Sequence, residues 1–259
     1  MASPQKPNIL LLSFAYQDWF DEMFGSLVSA LLQESNLKRV KTHKAALDTI
    51  QNTPLRAIII TDEGLARRTP KNQEVFAAVK SYIENGGLVI VGLHFSGFVN
   101  GDNHDDFFRG FGLPWKKGDY HRTIFRFNRS CVLPKGYRPE SMPEEYSMKA
   151  SHIKDARETE KMFVPPPDAQ TQSFSYVGEM DYSQAAVVAA SIGEGTLVYC
   201  GDVNTEPESF ALIMSLCGLN YQHIENRISQ IPRVDLDSIC YGQRLTGELS
   251  NGLPKGSER

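Results

Sequence analysis

Four apolar residues, Leu88-Val89-Ile90-Val91, run directly into Gly92-Leu93-His94-Phe95-Ser96-Gly97. A run with no polar alternation suits a strand buried on both faces of a parallel sheet, and the glycine behind it forces a sharp turn. Turns of this kind present one side chain at the top of the sheet, commonly a nucleophile. Here the displayed residue reads as His94, with neither Ser nor Cys in its place.

The chain before this corner alternates strand and helix. Asn8-Ile9-Leu10-Leu11-Leu12 reads as a first buried strand ending at Ser13. Phe20, Met23, Phe24, Leu27, Val28, Leu31 and Leu32 then recur at helical spacing, with Asp18, Asp21 and Glu22 at the end where a helix favours acids. Val40-Lys41-Thr42 reads as a weak second strand, residues 45–50 as a short helix, and residues 55–60 as a strong strand delivering Thr61-Asp62-Glu63-Gly64 into a loop. Thr69 and Pro70 open a further helix as cap and first residue, and Gly86-Gly87 close it. This order predicts an α/β protein with a mainly parallel central sheet and right-handed crossovers.

After the corner the pattern weakens. Residues 100–182 read as an irregular insertion over the carboxyl ends of the strands, with 122–127 alternating like a half-exposed strand and Pro165-Pro166-Pro167 as a stiff connector. Asp102-Asn103-His104-Asp105-Asp106 reads as a solvated acidic loop. Order returns in a hairpin, 185–191 and 196–200, around Gly193-Glu194-Gly195. Thr205-Glu206-Pro207-Glu208 has capping-box spacing and opens a helix that stops at Gly218. Residues 1–225 read as one domain and 226–259 as a C-terminal extension with a polar, fraying end.

Composition narrows the function classes. A net charge of -4 argues against nucleic acid as a partner, because phosphate binding needs a concentrated basic surface. No stretch reaches the roughly 20 apolar residues of a membrane span, and the first residues lack the apolar core of a signal peptide. Cys131, Cys200, Cys217 and Cys240 are far apart and read as small buried hydrophobes in a reducing cytoplasm.

Strand, Gly-Leu-His, a long variable middle, then Gly-Glu-Gly-Thr-Leu-Val-Tyr-Cys-Gly-Asp and a helix resembles the class I glutamine amidotransferase-like superfamily, and within it the ThuA-like (trehalose utilisation) branch. The resemblance covers residues 8–100 and 183–219. It implies a flavodoxin-like three-layer sandwich, a site at the elbow and a carbohydrate-like small-molecule ligand. Amidotransferases carry Gly-x-Cys-x-Gly at this corner and a His with a Glu after the last strand. Here position 94 is His, and Asp202, Asn204 and Glu206 follow the last strand with no histidine. The glutaminase pair is missing, so glutamine hydrolysis is not expected.

Parallel sheets bind ligands at the carboxyl ends of their strands. The expected site is therefore His94 as the catalytic candidate, with Ser13, Tyr16, Asp62, Glu63, Phe95, Ser96, Asp202, Asn204 and Glu206 as ligand contacts. The imidazole should face a cavity, with a nearby carboxylate raising its pKa. Phe14, Tyr16, Trp19, Phe95, Phe98, Phe107, Phe108, Trp115 and Tyr120 supply core and a potential stacking wall. No cofactor is expected, and a divalent metal beside His94 or His104, with His121, Asp102, Asp105 and Asp106 as further donors, stays open. Ser96 as a nucleophile is disfavoured by the bulky His94 and Phe98 two residues either side. Small-molecule binder, sugar-modifying enzyme or hydrolase, metal-dependent hydrolase, and silent domain kept for assembly all stay open, as does a homo-oligomer.

Overall fold

The computed structural model describes residues 5–173 and 179–219. In chain order its elements are β1 (Asn8–Leu12), α1 (Phe20–Glu34), β2 (Asn36–Val40), α2 (His43–Asn52), β3 (Leu55–Ile60), α3 (Pro70–Glu84), β4 (Leu88–Val91), α4 (His94–Phe98) and α5 (Gly101–Gly110). Then follow β5 (Lys116–Phe127), β6 (Glu145–Lys154), β7 (Lys161–Val164), β8 (Val187–Ile192), β9 (Gly195–Cys200) and α6 (Pro207–Leu216). All nine strands form one sheet in the order β2-β1-β3-β4-β9-β8-β7-β5-β6. The five from β2 to β9 are parallel and the other four continue the sheet antiparallel.

The strand periodicity of two sorts the core into two layers. Ile9, Leu11, Ala57, Ile59 and Ile90 join Phe20, Phe24, Leu27 and Leu31 of α1 and Phe210 and Ile213 of α6 on one face. Leu10, Leu12, Ile58, Ile60, Val89 and Val91 join Val75, Val79 and Ile83 of α3 and Phe107 and Phe108 of α5 on the other. A strand covered on both sides has no exposed face, so β4 is completely buried, as its unbroken apolar run predicts. Thr69 caps α3 onto the Asn72 N–H with Pro70 at the first turn, also as predicted.

Four expectations are corrected. The stretch 100–182 is no irregular cover: β5, β6 and β7 extend the sheet itself, with β6 as its far edge. The presumed acidic loop is α5, capped by Asn100 on the Asn103 N–H. Its buried His104, Phe107 and Phe108, with Phe111 beyond, lie three to four residues apart on one face, which outweighs a polar, poorly helical start. The second strand runs 36–40, ending where 40–42 was read to start, because Asn36 pairs with Asn8 and sets the register. Thr205 does not cap α6; Glu206 stands at the N-cap and makes no side-chain cap bond. The 225/226 boundary, the C-terminal extension and Cys240 lie outside the described residues. Among the described residues no helix is long and apolar enough to cross a membrane.

Candidate functional site

The turn after β4 is an elbow without a nucleophile. Gly92 packs closely there: a Cβ would sit 3.1 Å from the Cys200 carbonyl oxygen of the neighbouring strand, so a larger residue would need that strand to give by a few tenths of an ångström. The chain then turns at Leu93, with φ 58° and ψ -126°. Positive φ costs a residue with a Cβ about 1–3 kcal/mol, and such corners usually hold a functional side chain. This corner holds a buried leucine, one residue before the position that the sequence suggested. The Phe95 N–H donates to Thr61 O (3.1 Å) and Gly92 O (3.1 Å), which secures the turn to β3.

His94 is the first residue of α4 and only 3% exposed. Its ring is boxed by Trp19 (4.2 Å between centroids), Phe20 (5.1 Å), Phe24 (5.2 Å) and Phe98 (5.2 Å). Among the described residues neither Nδ1 nor Nε2 has a hydrogen-bond partner. The ring therefore faces aromatic carbon, not the open cavity that was expected. Burial pushes its pKa down to about 4, with the Glu63 carboxylate pulling the other way. This reverses the expected upward shift. Desolvation wins because Glu63 is already tied to Arg67 at 2.6 Å, and one partly neutralised carboxylate cannot offset an apolar box.

The topology does bring the other candidates to neighbouring strand ends, but most of their polar atoms are engaged structurally. Asp62 Oδ1 accepts the N–H groups of Phe14 (3.1 Å), Ala15 (2.9 Å) and Gly64 (3.0 Å), joining the loops after β1 and β3. These loops flank the point where the strand order reverses, the usual ligand crevice of such sheets. The loops close so tightly that a Cβ on Gly64 would lie 2.6 Å from Ala15 N. Ser13 Oγ pairs with Thr61 Oγ1 (2.8 Å), and Ser96 Oγ donates to Cys200 O (2.7 Å). Tyr16 donates its hydroxyl to Asp21 (2.8 Å), while Phe95 is core, against Phe107.

Beyond β9, the Asn204 N–H donates to Asp202 Oδ1 (2.9 Å), the Ser209 hydroxyl and Glu206 N–H lie close enough to favour the charged carboxylate, and Oδ2 has no well-aligned partner among the described residues. Burial first, and then the charge of Glu206, pushes the Asp202 pKa up to about 7. Glu206 in turn takes Arg122 of β5 at 2.7 Å. No sequence signal pointed to Arg122, since the contact spans the antiparallel half of the sheet. With a folded pKa above the ordinary 3.8, Asp202 adds stability below about pH 4 that is lost as pH rises through 7. Asp202→Asn is expected to stabilise the chain at pH 8 by up to about 4 kcal/mol and to leave it unchanged at pH 4. Urea melts at the two pH values measure this; equal effects at both would show that the carboxyl does not titrate as described.

The proposed metal donors are not assembled. Among the described residues no group of three or more His, Cys, Asp or Glu is placed to hold an ion. His104 is buried against Phe108 and Tyr199, with Nδ1 3.1 Å from Asp105. His121 instead packs against His152, 4.4 Å between centroids. Of the aromatic wall, Trp19 (37% exposed) and Phe98 (51%) form the rim over His94, and Trp115 and Phe108 are core.

The fold and this elbow frame the comparisons. No protein-family model matches the chain, and no curated protein does. Among solved structures, a ThuA-like protein from Bacteroides uniformis ATCC 8492 is similar at 11% identity and TM-score 0.52, covering 82% of this chain and 91% of that one. The mmIFT52 N-terminal domain is similar at 13% identity and TM-score 0.53, covering 81% and 97%. A β-galactosidase from Bacillus circulans sp. alkalophilus matches at 12% identity and TM-score 0.50, but the chain spans only 31% of that enzyme. The chain shares its fold with the ThuA-like structure, a flavodoxin-like α/β arrangement around a mainly parallel central sheet.

Proposed function

We propose that this chain is a binding domain that recognises a small molecule at the His94 elbow without hydrolysing it. The observation that carries the reading is the imidazole itself, buried with both nitrogens unpaired among the described residues. An orphaned buried polar group costs about 1–3 kcal/mol, so a phenyl ring would suit the same box better unless something uses the nitrogens. At neutral pH the ring is uncharged and offers one donor and one acceptor. Trp19 covers the imidazole on the solvent side. It stands at the N-cap of α1, its indole N–H bonds no described residue, and its ring contacts are with His94 and Phe98. Binding without hydrolysis follows from Leu93, which leaves the strained corner with no attacking atom.

His94→Phe separates the readings. It is expected to raise stability by about 1–2 kcal/mol, by removing two unpaired nitrogens from an aromatic box, and to abolish ligand binding. Thermal melts of both forms, alone and with a panel of sugars, nucleosides, amino acids and amines, supply the measurement. A destabilised His94→Phe together with no ligand-induced shift in wild type would refute the binding reading. It would favour a catalytically silent domain kept for assembly, which the shut crevice at Asp62 also suits.

A further inference from the structure

We infer that the seam joining β6 to the segment 201–206 is a pH-operated latch, shut while Asp202 is protonated and released when it ionises. β6 ends the ladder of strands, but this part of its outer edge is not left open. The antiparallel half curls until β6 meets the start of β8 and the end of β9, through antiparallel bridges of Ile153 with Ala185 and of Ala150 with Asp202. The approach is close: a Cβ on Gly201 would lie 2.2 Å from the Ser151 carbonyl oxygen and 2.7 Å from that of Ala186. On the 201–206 side the Ser151 N–H donates to Gly201 O (2.9 Å), the Val203 N–H donates to Lys149 O (3.0 Å), and Arg122 pairs with Glu206 (2.7 Å).

Asp202 stands at the bridge itself, buried, and forms no ion pair among the described residues. The groups around it come from four elements. Glu206 acts on it from the start of α6, with Glu208 beyond acting on Tyr146; the Tyr146 hydroxyl faces it from β6 and the Cys200 thiol from β9. The nearby cations are directed elsewhere, Arg122 of β5 to Glu206 and Lys149 of β6 over the Tyr120 ring, 5.6 Å from its centroid. An ionised Asp202 is therefore a buried charge beside a like charge, which is the costly case.

Burial, and then Glu206, push its pKa up to about 7 against the Ser209 hydroxyl and the Asn204 and Glu206 N–H groups, which favour the carboxylate. Opening the seam admits water and returns the group towards its ordinary 3.8. Its contribution to closure is thus complete below about pH 4 and lost as pH rises through 7. Val203 lies 3.9 Å from where a Cβ on Gly97 would stand, so release reaches α4, the helix that begins with His94.

Amide hydrogen exchange on the full chain from pH 5 to 8, expressed as protection factors, tests the latch. Protection at Ser151 and Val203, the donors of the seam bonds, should fall roughly fiftyfold between pH 5 and 7 and level off above about pH 7.5. Protection at Ile58 and Val89 in the central strands should rise over the same range. Asp202→Asn keeps an acceptor for the Asn204 N–H and should make the seam profile flat. Seam amides that rise together with the central ones would show that the segment opens only with the whole molecule, and the inference is overturned. It is overturned equally if Asp202→Asn retains the fall, since another group then drives the opening.

Discussion

Acidification from neutral pH to pH 5 is expected to remove about 3–4 kcal/mol of stability, through histidines rather than carboxylates. Burial pushes His94 and His104 down to about 4 and His152 to about 3, and it lowers His121 as well. A group whose folded pKa lies below its unfolded value contributes stability that is complete above the unfolded pKa. For these imidazoles the contribution drains as pH falls from about 6.5 towards 4, because only the unfolded chain can take up the protons. At pH 5 each of the three lowest has cost about 2 kcal/mol, together about 6. Asp202 works in the opposite direction, since its raised pKa returns about 2–3 kcal/mol between pH 7 and 5. The net loss is a large fraction of the 5–15 kcal/mol available to a typical domain. Denaturant midpoints at pH 7.5, 6 and 5 test it, and a flat profile over that range would contradict the burial assigned to these rings.

Asp62→Ala is expected to cost at least about 3 kcal/mol, against less than half of that for Asp62→Asn. The alanine orphans the N–H groups of Phe14, Ala15 and Gly64 together, and an unsatisfied buried donor costs about 1–3 kcal/mol. Relaxation cannot easily recover them, since Gly64 already touches the Phe14–Ala15 backbone and leaves no space for closer approach. Asparagine retains an acceptor oxygen in the same place and carries no charge to desolvate, which matters where burial already raises the Asp62 pKa. Amide exchange at Ala15 and Gly64 should accelerate in the alanine variant alone. An Asp62→Ala protein within 1 kcal/mol of wild type would show that water takes over the bonds.

Much of the parallel half was legible because its signals are local. A short unbroken apolar run such as Leu88–Val91, bounded by Gly86-Gly87 and Gly92, suits a strand buried on both faces, and Thr69-Pro70 has the cap and first-turn proline of a helix start. The antiparallel half was legible only in pieces: 122–127 and the hairpin 185–200 were read as strands, but β6, β7 and the joining of all of them into one sheet were not. β5 and β6 alternate buried and exposed residues, and the identity of their neighbours depends on crossovers that no short window contains. That 150 would bridge 202, and that Arg122 would reach Glu206, follows only from the assembled sheet order.

The candidate site divides in the same way. The sequence by itself determined that an elbow follows β4, that no cysteine occupies it, and that Ser13, Asp62, His94 and Asp202 arrive at neighbouring strand ends. Only the tertiary structure decided what those groups do. Oδ1 of Asp62 was claimed by three backbone donors, and the Ser13 and Ser96 hydroxyls by Thr61 and Cys200. Leu93, not His94, took the strained corner. His94 was left neutral among four rings from α1 and α4. The reason is that a residue's type sets which bonds it can make, while its protonation and its partners depend on burial and on the groups that packing brings within about 3 Å.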